Sequence, residues 1–248
     1  MKIYQFELTN KCNMRCRYCP TGLGDLNRPK GFSSPQIEDA IRQNITNNKD
    51  EILWLNGWGE PLLHPFFHTI VKRFSESGID VGMNTNGALL RPFILENLIK
   101  FGIKKVILSV HSKESIQHLP ELEKQYKDFK DILSLVKLKQ DIKIDTKFVV
   151  EKKKLRNTFY CGGNSDLREG VNELIWDKCS FLHNREYVVL YNGNIIRCCD
   201  SWNGPVLGNI LNTSDIINLK KEEYYLTKCF DCKGYGNWEK ETERKKVK

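Results

Sequence analysis

The stretch KCNMRCRYCP, residues 11–20, places cysteines at positions 12, 16 and 19, directly after a short apolar run, residues 3–8, that reads as a strand. Three thiols on one short loop can wrap a metal cluster, and a fourth is absent. Structural zinc sites normally take four protein ligands, whereas three ligands leave a position open for something else to bind. A cube of iron and sulfide held by three thiolates leaves one iron free in the same way.

Working outward, the 248 residues are 40% hydrophobic and 28% charged, which suits one larger domain with an appendage, or two small domains. No apolar run approaches the roughly 20 residues of a membrane helix, and Met1-Lys2-Ile3-Tyr4 leads into a strand rather than a signal peptide. The expected location is the cytoplasm. In that reducing compartment, nine cysteines point to metal binding or chemistry before disulfides. The net charge of +8 comes from lysine clusters such as Lys152-Lys153-Lys154 and Lys220-Lys221 and from a charged tail, residues 239–248. Solvated helix faces account for it, with an acidic substrate as the rival. No nucleic-acid-binding motif accompanies the charge.

Apolar stretches rich in β-branched residues alternate with amphipathic ones, which predicts an α/β fold with a parallel sheet built by repeated crossovers. Strands are expected at residues 3–8, 52–55, 79–83, 105–110, 142–150 and 171–176, and helices at 36–46, 66–77, 93–101 and 121–139. Pro35, Pro65 and Pro92 stand at helix starts, and Gly78 and Gly102 where helices should end. In the fourth strand Ile107, Ser109 and His111 share one face; in the fifth, Lys143, Asp145 and Lys147 do. Polar inward positions near strand ends suggest a lumen that holds a ligand. Past Trp176 the pattern changes to a hairpin, residues 186–190 and 195–198 about an Asn192-Gly193 turn, and then a helix at 214–225.

The cysteine loop resembles the signature of the radical S-adenosylmethionine (SAM) superfamily, CxxxCxxC after the first strand with an aromatic residue, here Tyr18, before the third cysteine. Gly57-Trp58-Gly59-Glu60-Pro61 after the second strand resembles the family's GGEP motif, with Trp58 departing from it at the second position. Asn84-Thr85-Asn86-Gly87 ends the third strand as the family's TNG stretch does, and Ser109 ends the fourth. The resemblance implies a partial (β/α)6 TIM-like barrel over residues 1–176. It also implies a [4Fe-4S] cluster on Cys12, Cys16 and Cys19, and SAM chelating the free iron. One electron from the cluster would then give methionine and a 5′-deoxyadenosyl radical that abstracts hydrogen from a substrate. Tyr18, Gly57, Gly59, Glu60, Pro61, Asn84, Asn86, Ser109 and Lys147 become the expected SAM contacts, with Glu60 facing the methionine amino group. For Lys147 a solvent-facing lysine is the equal alternative, and His111 either touches substrate or caps its strand.

A second set, Cys179, Cys198 and Cys229-x2-Cys232, resembles the shortened SPASM or "twitch" appendage and implies an auxiliary [4Fe-4S] cluster over residues 177–238. The rival that the spacing alone allows is a four-thiolate structural zinc site. Cys199 and Cys161 are either small structural residues or thiol hydrogen donors. The expected activity is oxidation or epimerisation of a small polar substrate of sugar or aminocyclitol type, with the auxiliary cluster accepting an electron. The alternatives are modification of a ribosomally made peptide and a non-catalytic iron-sulfur or zinc protein. A flavodoxin- or ferredoxin-type donor is the implied electron source.

Overall fold

The structure is a computed structural model that describes residues 1–16, 19–46, 51–110, 112–125, 132–137, 186–199, 203–204 and 206–219. Its centre is a sheet in the strand order β5-β4-β3-β2-β1-β6-β7-β8. The first five are β1 (Lys2–Phe6), β2 (Leu53–Trp54), β3 (Val81–Thr85), β4 (Lys105–Val110) and β5 (Leu133–Lys137), each parallel to its neighbours. Parallel strands need crossovers, and helices supply them. The first short helix, α1 (Pro20–Leu23), follows the cysteine loop; α2 (Pro35–Asn44), α3 (Phe67–Glu76) and α4 (Pro92–Lys100) join successive strands. The last two end as expected at Gly78 and Gly102, both with positive φ.

The helices cover one face of the sheet. Ile37 and Ile41 of α2, Ile70, Val71 and Phe74 of α3, and Leu95 and Leu98 of α4 recur at helical spacing. They bury against Ile3, Phe6, Leu53, Val81, Met83, Val106 and Leu108. Each such side chain contributes about 1.5–3 kcal/mol by leaving water. The alternate strand positions form the inner face: Tyr4, Gln5, Trp54, Gly82, Asn84, Ile107 and Ser109. That face is more polar than the helix-covered one, as the alternation in the fourth strand predicts.

One expectation is corrected. Residues 121–139 do not form a single helix: α5 (Leu119–Gln125) is short, and Leu133–Lys137 is strand β5. Ile132, Leu133, Leu135 and Val136 satisfy either a helical or a strand period. The free edge of β4 decides between them, offering a ladder from Val106↔Leu133 to Val110↔Lys137. The strands expected at 142–150 and 171–176 lie outside the described residues.

The predicted hairpin is present as β6 (Glu186–Val189) and β7 (Asn194–Ile196). It is not set apart from the main sheet. β6 runs parallel beside β1, from Lys2↔Glu186 to Phe6↔Val189, with a bulge between Ile3 and Gln5. The two-residue strand β8 (Gly208–Asn209) pairs with β7, and α6 (Thr213–Leu219) starts where the last helix is expected. Among the described residues no helix is long and apolar enough to cross a membrane.

Candidate functional site

The strands β1 to β4 deliver four loops to one end of the sheet, and those loops bind to one another through side chains. The first carries the cysteines. Cys12, Cys16 and Cys19 are each half-buried. Burial pushes the Cys12 thiol up to about 11, and the nearby charges of Glu60, Cys19 and Cys16 push in the same direction. A thiol so placed stays protonated at neutral pH unless a bound cation displaces its proton. Among the described residues no three His, Cys, Asp or Glu side chains stand close enough for a single metal ion. Three thiols on one loop are a donor set that would hold a cube of iron and sulfide with one iron left open.

Hydrogen bonds to sulfur complete that fit. The backbone N–H of Met14 donates to Cys12 Sγ at 3.4 Å, and Asn86 Nδ2 reaches the same sulfur at 3.9 Å. Asn86 Nδ2 also donates to Asn13 Oδ1 at 2.7 Å, so the end of β3 holds the cysteine loop directly. The loop packs so closely on α1 that a Cβ at Gly22 would stand 2.3 Å from the Cys16 carbonyl oxygen.

The loop after β2 is held by Glu60, which is 2% exposed. Its Oε1 accepts from Thr85 Oγ1 at 2.8 Å and from the Leu62 N–H at 3.2 Å, and its Oε2 accepts from the Asn86 N–H at 2.8 Å. Burial raises its pKa to about 7 against these three bonds. A carboxylate offers about four lone-pair sites, so these three bonds leave one unused. Pro61 opens a 3₁₀ turn, Pro61–Leu63, beneath it.

Gly57 and Gly59 stand at close backbone approaches within the protein. A Cβ at Gly57 would meet the Glu7 side chain at 2.5 Å, and one at Gly59 the Thr9 carbonyl oxygen at 2.1 Å. Both let the loop lie against the chain leaving β1. Trp58, the departure from the GGEP pattern, is buried in a small apolar cluster with Val188, Leu190, Ile196 and Cys199, and Cys19 and Cys198 pack on it. Its carbonyl accepts a hydrogen bond from Thr21 Oγ1. The indole thus fills the space between the cysteine loop and the β6–β7 hairpin. Cys198, from the second cysteine set, lies against the same apolar cluster as Cys19.

Glu7 is missed by motif reading. It is wholly buried, accepts from Arg28 Nη2 on both oxygens at 3.0 Å, and accepts from the Trp58 N–H at 3.1 Å. Burial raises its pKa, Arg28 opposes the rise, and the Tyr191 backbone supplies a further hydrogen bond. The Arg28 guanidinium also lies over the Trp58 ring, 5.1 Å from its centroid. The available signal was the polar alternation Gln5, Glu7 against Phe6, Leu8 at the end of β1. Of the remaining expected contacts, Asn84 donates its N–H to Asn56 Oδ1 at 3.2 Å, and Ser109 is half-buried on the inner face of β4. Tyr18, His111, Lys147, Cys161, Cys179, Cys229 and Cys232 lie outside the described residues.

The family model described as the Radical SAM superfamily matches residues 6–150. Among curated proteins, the chain is 28% identical over 127 residues to the tungsten-containing aldehyde ferredoxin oxidoreductase cofactor-modifying protein of Pyrococcus furiosus, covering 49% of this chain and 34% of that one. It is 33% identical over 117 residues to the GTP 3′,8-cyclase of Aquifex aeolicus, covering 45% and 36%. The matched part therefore spans about a third of those relatives' length. Among solved structures, BtrN in complex with AdoMet and 2-DOIA aligns with a TM-score of 0.61 at 19% identity, over 90% of this chain and 88% of that one. That likeness is one of fold, a mixed α/β sheet consistent with a partial TIM-like barrel. With the family model covering more than half of its length, the chain belongs to the radical SAM superfamily.

Proposed function

We propose that this protein reductively cleaves SAM on a [4Fe-4S] cluster held by Cys12, Cys16 and Cys19, and uses the resulting 5′-deoxyadenosyl radical to take hydrogen from a small polar substrate. The observation that carries this reading is the convergence of three thiols with Glu60 and Asn86 at the ends of β1, β2 and β3. The cluster, when bound, supplies one electron to the sulfonium. The protein's part is to fix the loop through Asn86 and Asn13, to exclude water with Trp58, and to leave one lone pair of Glu60 for the methionine amine. Asn84 and Ser109 line the inner face beside it, and Tyr18 and Lys147 complete the proposed SAM contacts.

The substrate class, of sugar or aminocyclitol type, draws support from the fold likeness to BtrN, a protein seen with AdoMet and 2-DOIA, over nearly the whole of both chains. Oxidation or epimerisation is the proposed outcome. A twitch-like auxiliary [4Fe-4S] cluster on Cys179, Cys198, Cys229 and Cys232 is the proposed electron acceptor, and the packing of Cys198 beside Trp58 puts one of those thiols near the cysteine loop. Cys199, buried in the same place, is a proposed hydrogen donor together with Cys161.

Anaerobic reconstitution and product analysis test the reading. About eight irons per chain fits two cubes, and about four irons with zinc fits a structural appendage. With SAM and dithionite, 5′-deoxyadenosine is expected, and Cys12→Ala should abolish it. Wild-type protein that holds iron and sulfide yet yields no deoxyadenosine would show that the fold is used without the radical chemistry. Conversion of a leader-bearing peptide in place of a small molecule would favour the maturation alternative.

A further inference from the structure

His64 follows Glu60 by four residues and is 4% exposed, and both nitrogens of its ring are engaged. Nδ1 accepts from the Phe66 N–H at 3.2 Å, so that nitrogen carries no proton. Nε2 therefore carries one, and donates to the Ser33 carbonyl oxygen at 3.4 Å and to Ser33 Oγ at 3.3 Å. Ser33 Oγ in turn donates to Glu38 Oε1 at 3.3 Å, and Glu38 Oε2 accepts from Arg73 Nη1 at 3.0 Å. Burial lowers the His64 pKa, which keeps the ring in this neutral tautomer.

The segment between Glu60 and His64 is stiff. Pro61 fixes the backbone where the 3₁₀ turn begins, the Leu63 N–H donates to the Glu60 carbonyl oxygen at 3.0 Å, and the His64 N–H donates to that of Pro61 at 2.9 Å. The turn is fastened at both ends. At one end the Glu60 N–H donates to the Lys11 carbonyl oxygen at 2.8 Å; at the other, His64 reaches Ser33.

Both anchors belong to one piece of structure. Thr9 and Phe32 form an antiparallel bridge, and the Ser33 N–H donates to the Leu8 carbonyl oxygen at 2.7 Å. The Phe32 ring stands between the anchors: the His64 ring meets it edge-on with centroids 5.3 Å apart, and the Lys11 ammonium lies 4.1 Å from its centroid. Lys11 leads directly into Cys12. The placing of Glu60 against the cysteine loop is thus set through His64 as well as through the bonds that the carboxylate makes itself. Filling the space would take only an apolar side chain of similar size. Two directed bonds from one planar ring also fix the distance and angle at which the turn meets residues 32 and 33.

We propose that His64 is a positioning residue for SAM: through Nε2 and Ser33 it holds the Glu60 turn on the paired segments 8–11 and 31–33, so that the carboxylate and the cysteine loop are spaced to take one methionine moiety between them. The assignment rests on the SAM-dependent reading above and adds to that site a residue that acts through Glu60.

Two variants separate the arms of the ring. Gln places an amide nitrogen near the position of Nε2, and Asn places an oxygen near that of Nδ1. SAM binding to anaerobically reconstituted wild type, His64→Gln and His64→Asn is measured by calorimetry, with iron and sulfide per chain determined on the same samples. His64→Gln should stay within about twofold of the wild-type affinity and His64→Asn should bind SAM about tenfold more weakly, while all three hold the same iron. Hydrogen exchange of residues 59–64, read by mass spectrometry without SAM, supplies a readout of the brace itself. It should be about tenfold faster in His64→Asn and unchanged in His64→Gln. Equal affinity in all three proteins, weaker binding by Gln than by Asn, affinity that falls only in step with lost iron, or unaltered exchange in His64→Asn would each overturn the proposal. His64→Gln is the milder change, and its loss of SAM with iron retained would suffice alone. Failure of the wild type to bind SAM overturns the SAM-dependent reading instead, and the exchange rates still decide whether His64 holds Glu60 in place.

Discussion

Glu60 Oε1 accepts a hydrogen bond of 2.8 Å from Thr85 Oγ1, and this contact joins the loop after β2 to the end of β3 inside the protein. With the Asn86 N–H on the other oxygen, one carboxylate aligns two loops that the sequence holds about 25 residues apart.

The raised pKa of that carboxylate predicts a pH dependence. Its value moves from 4.5 to about 7 on folding, so between those values the folded state holds the proton more tightly than the unfolded state. The contribution of Glu60 to stability is complete below about pH 4.5 and falls as pH rises to 7, by roughly 3 kcal/mol. Urea denaturation of the metal-free protein across this window should show the fall, and Glu60→Gln should remove that part of the slope. Parallel slopes in the two proteins would contradict the assignment.

Asn86 is expected to tune the cluster. Replacing it by Leu deletes the Nδ2 bonds toward Asn13 and Cys12 Sγ. Hydrogen bonds to cluster-ligating sulfur favour the reduced, more negative state. Asn86→Leu should therefore lower the midpoint potential of the reconstituted cluster in a dye-mediated EPR titration. An unchanged potential would mean that the amide serves the loop alone.

Close backbone approaches predict intolerance at two glycines. Gly59→Ala would press a methyl group against the carbonyl oxygens of Thr9, at 2.1 Å, and Lys11, at 2.6 Å. Gly22→Ala would do the same at Cys16. Each should cost about 1–3 kcal/mol or more in denaturant unfolding, and both should lower iron retained per chain, because the displaced backbone is that of the cysteine loop.

The Glu7–Arg28 pair should behave as a buried unit. The Arg28 side chain is 9% exposed and that of Glu7 is fully buried. Arg28→Met leaves an unpaired carboxylate and should destabilise by about 3–5 kcal/mol. Adding Glu7→Gln should recover part of that loss, which a double-mutant cycle measures. Additive losses would show that the two groups do not interact.

Much of the site is legible in local sequence because it consists of turns at strand ends. Pro35 and Pro92 start helices and Gly78 and Gly102 end them through preferences that act within one turn. The cysteine loop, the Gly57–Pro61 stretch and Asn84-Thr85-Asn86-Gly87 stand at the ends of β1, β2 and β3 because each follows an apolar run that can only be a strand. The misread segment at residues 132–137 has the opposite character. Its apolar residues fit two periods, and the hydrogen-bonding edge of β4 chooses one.

By itself, then, the chain's order of residues determined that three thiols sit together on a loop behind a strand, and that helices and strands alternate, since spacing and backbone preference act over a few residues. Tertiary structure alone decided that Glu7 meets Arg28 and Trp58 and that the β6–β7 hairpin extends the sheet beside β1. Those are contacts between residues about 20 to 190 positions apart, and their free energy comes from burial and pairing that exist only once the sheet has assembled.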